Sequence, residues 1–213
     1  MSIRVLIADD HAMMRDGLKA LLETAGDITV IATVANGRDA VRVAMEARPD
    51  VIIMDITMPD LNGIEAARML EERCPESRIV MLSMHSSAEY VHRAFAAGAS
   101  GFLLKESAGE EVVVAVRTVH AGRRYLSRAL AARGLPAGDE PRRASPLKSL
   151  SARERQVLQL VVEGKSSAEI AALVHLSPKT VETYRSRLMK KLGVADVTAL
   201  VKFAIQHGLT PPA

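Results

Sequence analysis

Two hydrophobic periods share the first 125 residues of this chain. Short apolar runs at 5–8, 30–34, 51–54, 79–82 and 101–104 have the length and branched composition of strands. Between them, apolar residues recur at helical spacing. Met14, Leu18, Leu21 and Leu22 share one face, as do Val41, Ala44 and Met45, and then Ile64, Ala67 and Leu70. Residues 88–97 and 110–121 supply two further helical stretches. Strict alternation of five strands with five helices predicts a five-stranded, doubly wound parallel sheet with helices on both faces.

The pattern changes at 126–147. A short helix through Leu130 is allowed, but Gly134, Pro136, Gly138, Pro141 and Pro146 break anything longer, so this stretch reads as a linker. From 148 the pattern is helical throughout. Ser151 with Glu154, and Ser166 with Glu169, have capping-box spacing ahead of apolar runs. Ser177 followed by Pro178 reads as a cap and first helical residue, Gly193 as a stop, and Asp196 as the cap of a fourth helix over 196–207. The expected organisation is an α/β domain at 1–125, a linker at 126–147 and a small all-α four-helix domain at 148–213.

Charge follows the same division. Residues 1–125 carry a net −4, 126–147 a net +2 and 148–213 a net +5. A nucleic-acid partner is therefore sought only at the back of the chain. The single cysteine, Cys74, excludes an internal disulfide and any site built from several thiolates. No apolar run approaches the roughly 20 residues that cross a bilayer, and Asp9 and Asp10 interrupt the first apolar stretch where a secretory signal would continue. A cytoplasmic protein with no membrane partner is expected.

The chemistry falls at strand ends. Asp9 and Asp10 follow the first run, Asp55 the third, Ser83 the fourth and Lys105 the fifth. In a parallel sheet these positions emerge on one edge, where ligands bind. Three carboxylates beside a hydroxyl and an ammonium suit a hard, oxygen-seeking cation such as Mg²⁺ and an incoming phosphoryl group. A single Asp at a strand end is usually a turn or cap residue, but five such groups at matching ends are not explained that way. His11 and His85 lack the spacing of a metal-binding pair and are read as structural or exposed.

In the back half, two helices joined by 174–177 have the layout of a helix-turn-helix, whose second helix enters the major groove of double-stranded DNA. On that second helix Val181, Leu188 and Leu192 share the inward face. Lys179, Glu182, Thr183, Ser186 and Lys190 lie opposite, flanked by Arg185, Arg187 and Lys191, which suit phosphate contacts.

IADDH at 7–11, MDITMPDLNG at 54–63, LSMH at 82–85 and GFLLKES at 101–107 together resemble the receiver domain of bacterial response regulators, a flavodoxin-like fold. Two positions depart from the common receiver pattern: Met84 follows Ser83 in place of a small residue, and Glu106 follows Lys105 in place of Pro. The resemblance implies that Asp55 accepts a phosphoryl group from a partner histidine kinase. It further implies that Asp9, Asp10, Asp55 and the carbonyl of Thr57 hold Mg²⁺, that Lys105 and Ser83 contact the phosphoryl group, and that Phe102 turns inward as Ser83 moves. LSARERQVLQLVVEGKSSAEIAALVHLSPKTVETYRSRLMKKLGV at 150–194 resembles the LuxR-type helix-turn-helix, and the two halves together resemble the NarL/FixJ class of two-component transcription factors. By that resemblance Glu182, Thr183 and Ser186 face base edges, Lys179, Thr180 and Arg185 hold the DNA backbone, and the fourth helix supplies a homodimer contact through Leu200 and Phe203.

Three other classes stay in view. A Mg²⁺-dependent phosphatase with an Asp55 nucleophile would place a second Asp two residues on, where this chain has Thr57. A dinucleotide-binding sensor would need a GxGxxG after the first strand, which is absent. A regulator working through protein contacts alone would not need the acid pocket. The sequence therefore favours a phosphorylation-controlled, DNA-binding transcription regulator that is not an enzyme.

Overall fold

The computed structural model describes residues 2–135 and 149–206. Residues 136–147 of the expected linker, and His207 at the expected end of the fourth helix, lie outside the described residues. The chain divides into two units, 1–140 and 141–213.

The first unit is a parallel sheet of order β2-β1-β3-β4-β5-β6. Its strands are β1 (Ile3–Ala8), β2 (Ile28–Val34), β3 (Val51–Asp55), β4 (Arg78–Ser83), β5 (Gly101–Leu104) and β6 (Tyr125–Leu126). Helices α1 (Ala12–Glu23), α2 (Gly37–Ala47), α3 (Gly63–Arg73), α4 (Ala88–Phe95) and α5 (Ala108–His120) make the crossovers, and α6 (Arg128–Ala132) follows β6. Side chains alternate across each strand, so the sheet separates two cores. Leu6, Ala8, Ile52, Met54 and Met81 pack with α2, α3 and α4, whereas Val5, Ile7, Ile53, Val80 and Leu82 pack with α1 and α5. β3 is buried along its whole length, as a central parallel strand must be.

The five expected strands are all present, and the strand count is corrected to six. Tyr125 and Leu126 pair in parallel with Gly101 and Phe102 of β5. The expected domain limit after residue 125 therefore cuts a strand. Two residues are too short to show a period in sequence. They form a strand because the outer edge of β5 otherwise has open backbone donors and acceptors.

The second unit has four helices: α7 (Ala152–Val162), α8 (Ser167–Val174), α9 (Pro178–Leu192) and α10 (Val197–Gln206). Both capping boxes close, Ser151 with Glu154 and Ser166 with Glu169. Ser177 caps α9 with Pro178 at its first turn, and Gly193 ends it at φ +66°, a left-handed conformation that glycine adopts without a side-chain clash. Asp196 caps α10 through a 2.7 Å bond from the Ala199 N–H. Val157, Leu158, Leu160, Ile170, Val174, Val181, Leu188 and Leu200 fill a core of this unit's own. Leu200 is 1% exposed, so the expected dimer contact through it is corrected: it holds α10 to its own domain. Among the described residues, no helix is long and apolar enough to cross a membrane.

Candidate phosphoacceptor pocket and helix-turn-helix surface

The order 2-1-3 reverses direction between β1 and β3, and the crevice at their carboxyl ends is where such sheets bind ligands. Asp9 follows β1 and Asp55 ends β3, both essentially buried. The turn after β3 is tight. Gly63 approaches so closely that a Cβ there would lie 2.1 Å from the Asp55 carbonyl oxygen, and its N–H donates to the Ile56 carbonyl at 3.0 Å. Asn62 caps α3 by accepting from the Glu65 N–H, which fixes the loop that frames Asp55.

Lys105 comes from the end of β5 and is buried. Its Nζ lies 2.8 Å from Asp55 Oδ2 and 2.7 Å from Asp9 Oδ2. The Asp55 contact is a hydrogen bond, whereas Asp9 Oδ2 has no well-aligned hydrogen bond and takes Lys105 as an ion pair. Asp55 Oδ1 accepts from the Thr57 N–H at 3.2 Å. Burial pushes the Asp55 carboxyl up to about 6, against the pull of the Lys105 ammonium. For Lys105 burial is the largest effect and lowers its pKa, but its bonds to Asp55 and Asp9 together raise it.

Asp10 is more open. Its Oδ1 lies 2.8 Å from His11 Nδ1, and the same ring nitrogen lies 3.2 Å from Asp9 Oδ1. The His11 N–H donates to Asp9 Oδ1, and the Arg15 guanidinium on α1 donates to the Asp9 carbonyl at 2.6 Å. Ligand atoms of Asp9, Asp10, His11 and Asp55 all lie within 4.8 Å of one another. Three carboxylates against one ammonium leave an excess of two negative charges. This donor set fits a hard divalent cation. His11, expected to be structural or exposed, borders this pocket while its ring stays open to solvent. Only its position beside the acid pair could have signalled this.

Ser83, at the end of β4, has its hydroxyl bonded within its own loop. Its Oγ accepts from the His85 N–H at 2.9 Å and donates to the His85 carbonyl at 3.2 Å. Phe102, on β5, is fully buried. Met84, which follows Ser83 in the chain, is 72% exposed. The segment after Lys105, where Glu106 departs from the receiver pattern, is a 3-10 turn (Lys105–Ser107) leading into α5.

On α9 the exposed face carries Lys179, Glu182, Thr183, Ser186, Arg187 and Lys190, with Thr180 and Arg185 half-buried at its sides. The Thr183 hydroxyl donates to the Lys179 carbonyl at 3.0 Å, and the Thr180 hydroxyl lies 2.8 Å from Ser177 Oγ. Arg185 donates to Ser167 Oγ of α8 at 2.9 Å, and Ser167 in turn donates to Glu182. Lys191, expected among the phosphate contacts, pairs instead with buried Glu154 of α7 at 2.8 Å.

Comparison with known proteins agrees with both halves. The response regulator receiver domain family matches residues 5–117, and the LuxR family of bacterial regulatory proteins matches 148–204. The transcriptional regulatory protein MctR of Rhizobium johnstonii is 38% identical over 97% of this chain and 95% of its own. The crystal structure of the response regulator ChrA, from a heme-sensing two-component system, is 34% identical with a TM-score of 0.53 and covers 98% of each chain. The response regulator RcsB in complex with DNA is 25% identical with a TM-score of 0.59, over 95% of this chain and 98% of that one.

Proposed function

This chain belongs to the response regulators that join a receiver domain to a LuxR-type DNA-binding domain, and on that footing we propose that Asp55 is its phosphoacceptor. The observation that carries the reading is the buried contact of Lys105 with both Asp55 and Asp9 at the switch point of the sheet. A carboxylate oxygen of Asp55 attacks phosphorus, an O–P bond forms, and the P–N bond of a kinase phosphohistidine breaks with its electron pair left on the imidazole. The transfer needs alignment and charge neutralisation more than acid–base chemistry. Lys105 would pair with the new phosphoryl group, and Ser83 would donate to it once its bonds to His85 part. Asp9, Asp10, Asp55 and the Thr57 carbonyl would hold Mg²⁺, which when bound supplies positive charge against the phosphoryl oxygens.

The output is DNA binding through α9. Glu182, Thr183 and Ser186 stand on the exposed face for base edges, while Lys179, Thr180, Arg187 and Lys190 flank it for phosphates. Arg185 reaches phosphate only by leaving Ser167, so it doubles as a brace for Glu182. A homodimer of the phosphorylated chain is the expected DNA-bound form. RcsB, whose complex with DNA is known, supports the DNA reading by likeness. The protein acts in the cytoplasm, where both DNA and a kinase's transmitter lie. The test is labelling with acetyl phosphate and Mg²⁺: the parent chain gains a base-labile phosphoryl group on Asp55, and Asp55→Asn gains none. Equal labelling of Asp55→Asn refutes the assignment.

A further inference from the structure

The segment that leaves the receiver is tied down at both ends. At its start, buried Glu111 of α5 accepts three bonds: from the Tyr125 hydroxyl at 2.6 Å, from Ser127 Oγ at 3.1 Å and from the Arg128 N–H at 3.1 Å. A carboxylate from α5 thereby does for α6 what its own cap residue does not, since Ser127 makes no side-chain bond to that helix. In the middle, the Ser127 N–H donates to the Phe102 carbonyl at 2.9 Å, and Leu130 is fully buried in the core that contains Phe102, Tyr90 and Phe95. At the far end, the Arg133 guanidinium donates to Ser86 Oγ at 3.0 Å. None of these contacts serves the phosphoacceptor chemistry.

Ser86 is the point of contact with that chemistry. It follows His85, whose N–H and carbonyl are both bonded to Ser83 Oγ, and whose ring stacks on Tyr90 at 4.8 Å with the planes 12° apart. The loop from Ser83 to Ser86 is therefore closed on itself at Ser83 and His85, and tied at Ser86 to Arg133, the residue that ends α6. Ser83 cannot donate to a phosphoryl group on Asp55 while its hydroxyl proton is engaged by His85.

We propose that residues 125–135 are a strap that reports phosphorylation to the segment leading to the DNA-binding unit, through the relay Ser83–His85–Ser86–Arg133. It rests on Asp55 being the phosphoacceptor. In the unphosphorylated chain the strap is closed. Turning Ser83 toward the phosphoryl group withdraws the loop, Arg133 loses Ser86, and the Arg133 end of α6 loosens while the Glu111 end stays anchored. Residues 131–135 are then released from the receiver. Phosphorylation acts here by shifting the balance between two strap states.

The test is amide hydrogen exchange on the full chain, with acetyl phosphate and Mg²⁺ as the phosphoryl source and mass analysis of the Asp55 peptide alongside. Arg133 is exposed, so Arg133→Ala should fold, and Ser86→Ala removes the same bond from the other side. The expected results are a rise of about three- to tenfold in exchange at amides 130–135 on phosphorylation, and a similar rise in unphosphorylated Arg133→Ala and Ser86→Ala. Asp55 should still be labelled in both variants, at the parent rate or faster, because the bond that opposes the turn of Ser83 is already gone. In Glu111→Gln the faster exchange should begin at 125–128 instead. Unchanged exchange at 130–135 in a chain whose Asp55 carries phosphate overturns the relay. So does parent-like protection in both unphosphorylated variants. An unlabelled Asp55 in the parent chain overturns the phosphoacceptor reading and the relay with it.

Discussion

Gly63→Ala adds one methyl group to the chain and should disable the pocket. An added Cβ would sit 2.1 Å from the Asp55 carbonyl oxygen, and 2.9 Å from both the Asp55 carbonyl carbon and Met54 Cγ. Ordinary contacts need about 3.4 Å or more, so something must move by roughly 1 Å. The nearest atoms are backbone, which cannot swing aside as a flexible side chain would. Overpacking of this kind costs about 1–3 kcal/mol. For a unit of this size that lowers the receiver melting temperature by roughly 3–12 °C. The shift falls on the residue that must meet phosphorus in line, and a misplacement of about 1 Å costs on the order of a hundredfold in rate. The assay is the rate of Asp55 labelling by acetyl phosphate with Mg²⁺, beside calorimetry of the same samples. Gly17→Ala is the control, because Gly17 lies within α1 with nothing within 4 Å of its added Cβ. That change should leave labelling alone and stabilise by about 0.5–1 kcal/mol. Parent-like labelling and melting in Gly63→Ala would refute the argument that this close approach sets Asp55.

Three other predictions concern the helical unit. Lys179→Ala and Arg187→Ala should weaken binding to selected and random DNA alike, each reducing the salt slope by roughly one unit, measured by binding titrations in increasing salt. Thr183→Ala or Glu182→Ala should relax preference at one or two base pairs by about 1–3 kcal/mol, read by selection from random DNA. Separately, Glu154 is buried, a setting that raises its pKa, but its bonds to Lys191 and Ser151 outweigh this and lower it below 4.5. A lowered folded pKa gives stability that is present above the unfolded value and lost as pH falls through the folded one. The melting temperature of the helical unit should therefore fall steeply below about pH 4.5, and Glu154→Gln should flatten that fall at the cost of a lower plateau near neutrality. An acid profile identical in Glu154→Gln would contradict the pairing.

Much of the site was legible because strand ends in a parallel sheet converge whatever the tertiary details. Asp9, Asp10, Asp55 and Lys105 needed only the period of the apolar runs to be placed together. The capping boxes at Ser151 and Ser166 were legible for a similar reason, since their partners lie three residues away. What was not legible involves longer reach or direction. β6 has two residues, and its pairing depends on an edge rather than a pattern. Glu111 reads in sequence as an acid in the first turn of a helix, whereas its partners lie 14 to 17 residues on. Leu200 and Leu188 carry the same helical signal, and packing alone decides that both point inward. The turn of Ser83 toward His85 is a rotamer choice that spacing does not record.

The central claim is that phosphate on Asp55 governs DNA binding by α9, and one titration tests it most directly. The full chain is titrated against DNA selected from a random pool, with and without acetyl phosphate and Mg²⁺, with Asp55→Asn in parallel and labelling verified on each sample. The account predicts tighter binding by the labelled parent chain and no response from Asp55→Asn. Identical affinity of labelled and unlabelled parent chain, or an equal response from Asp55→Asn, would contradict it.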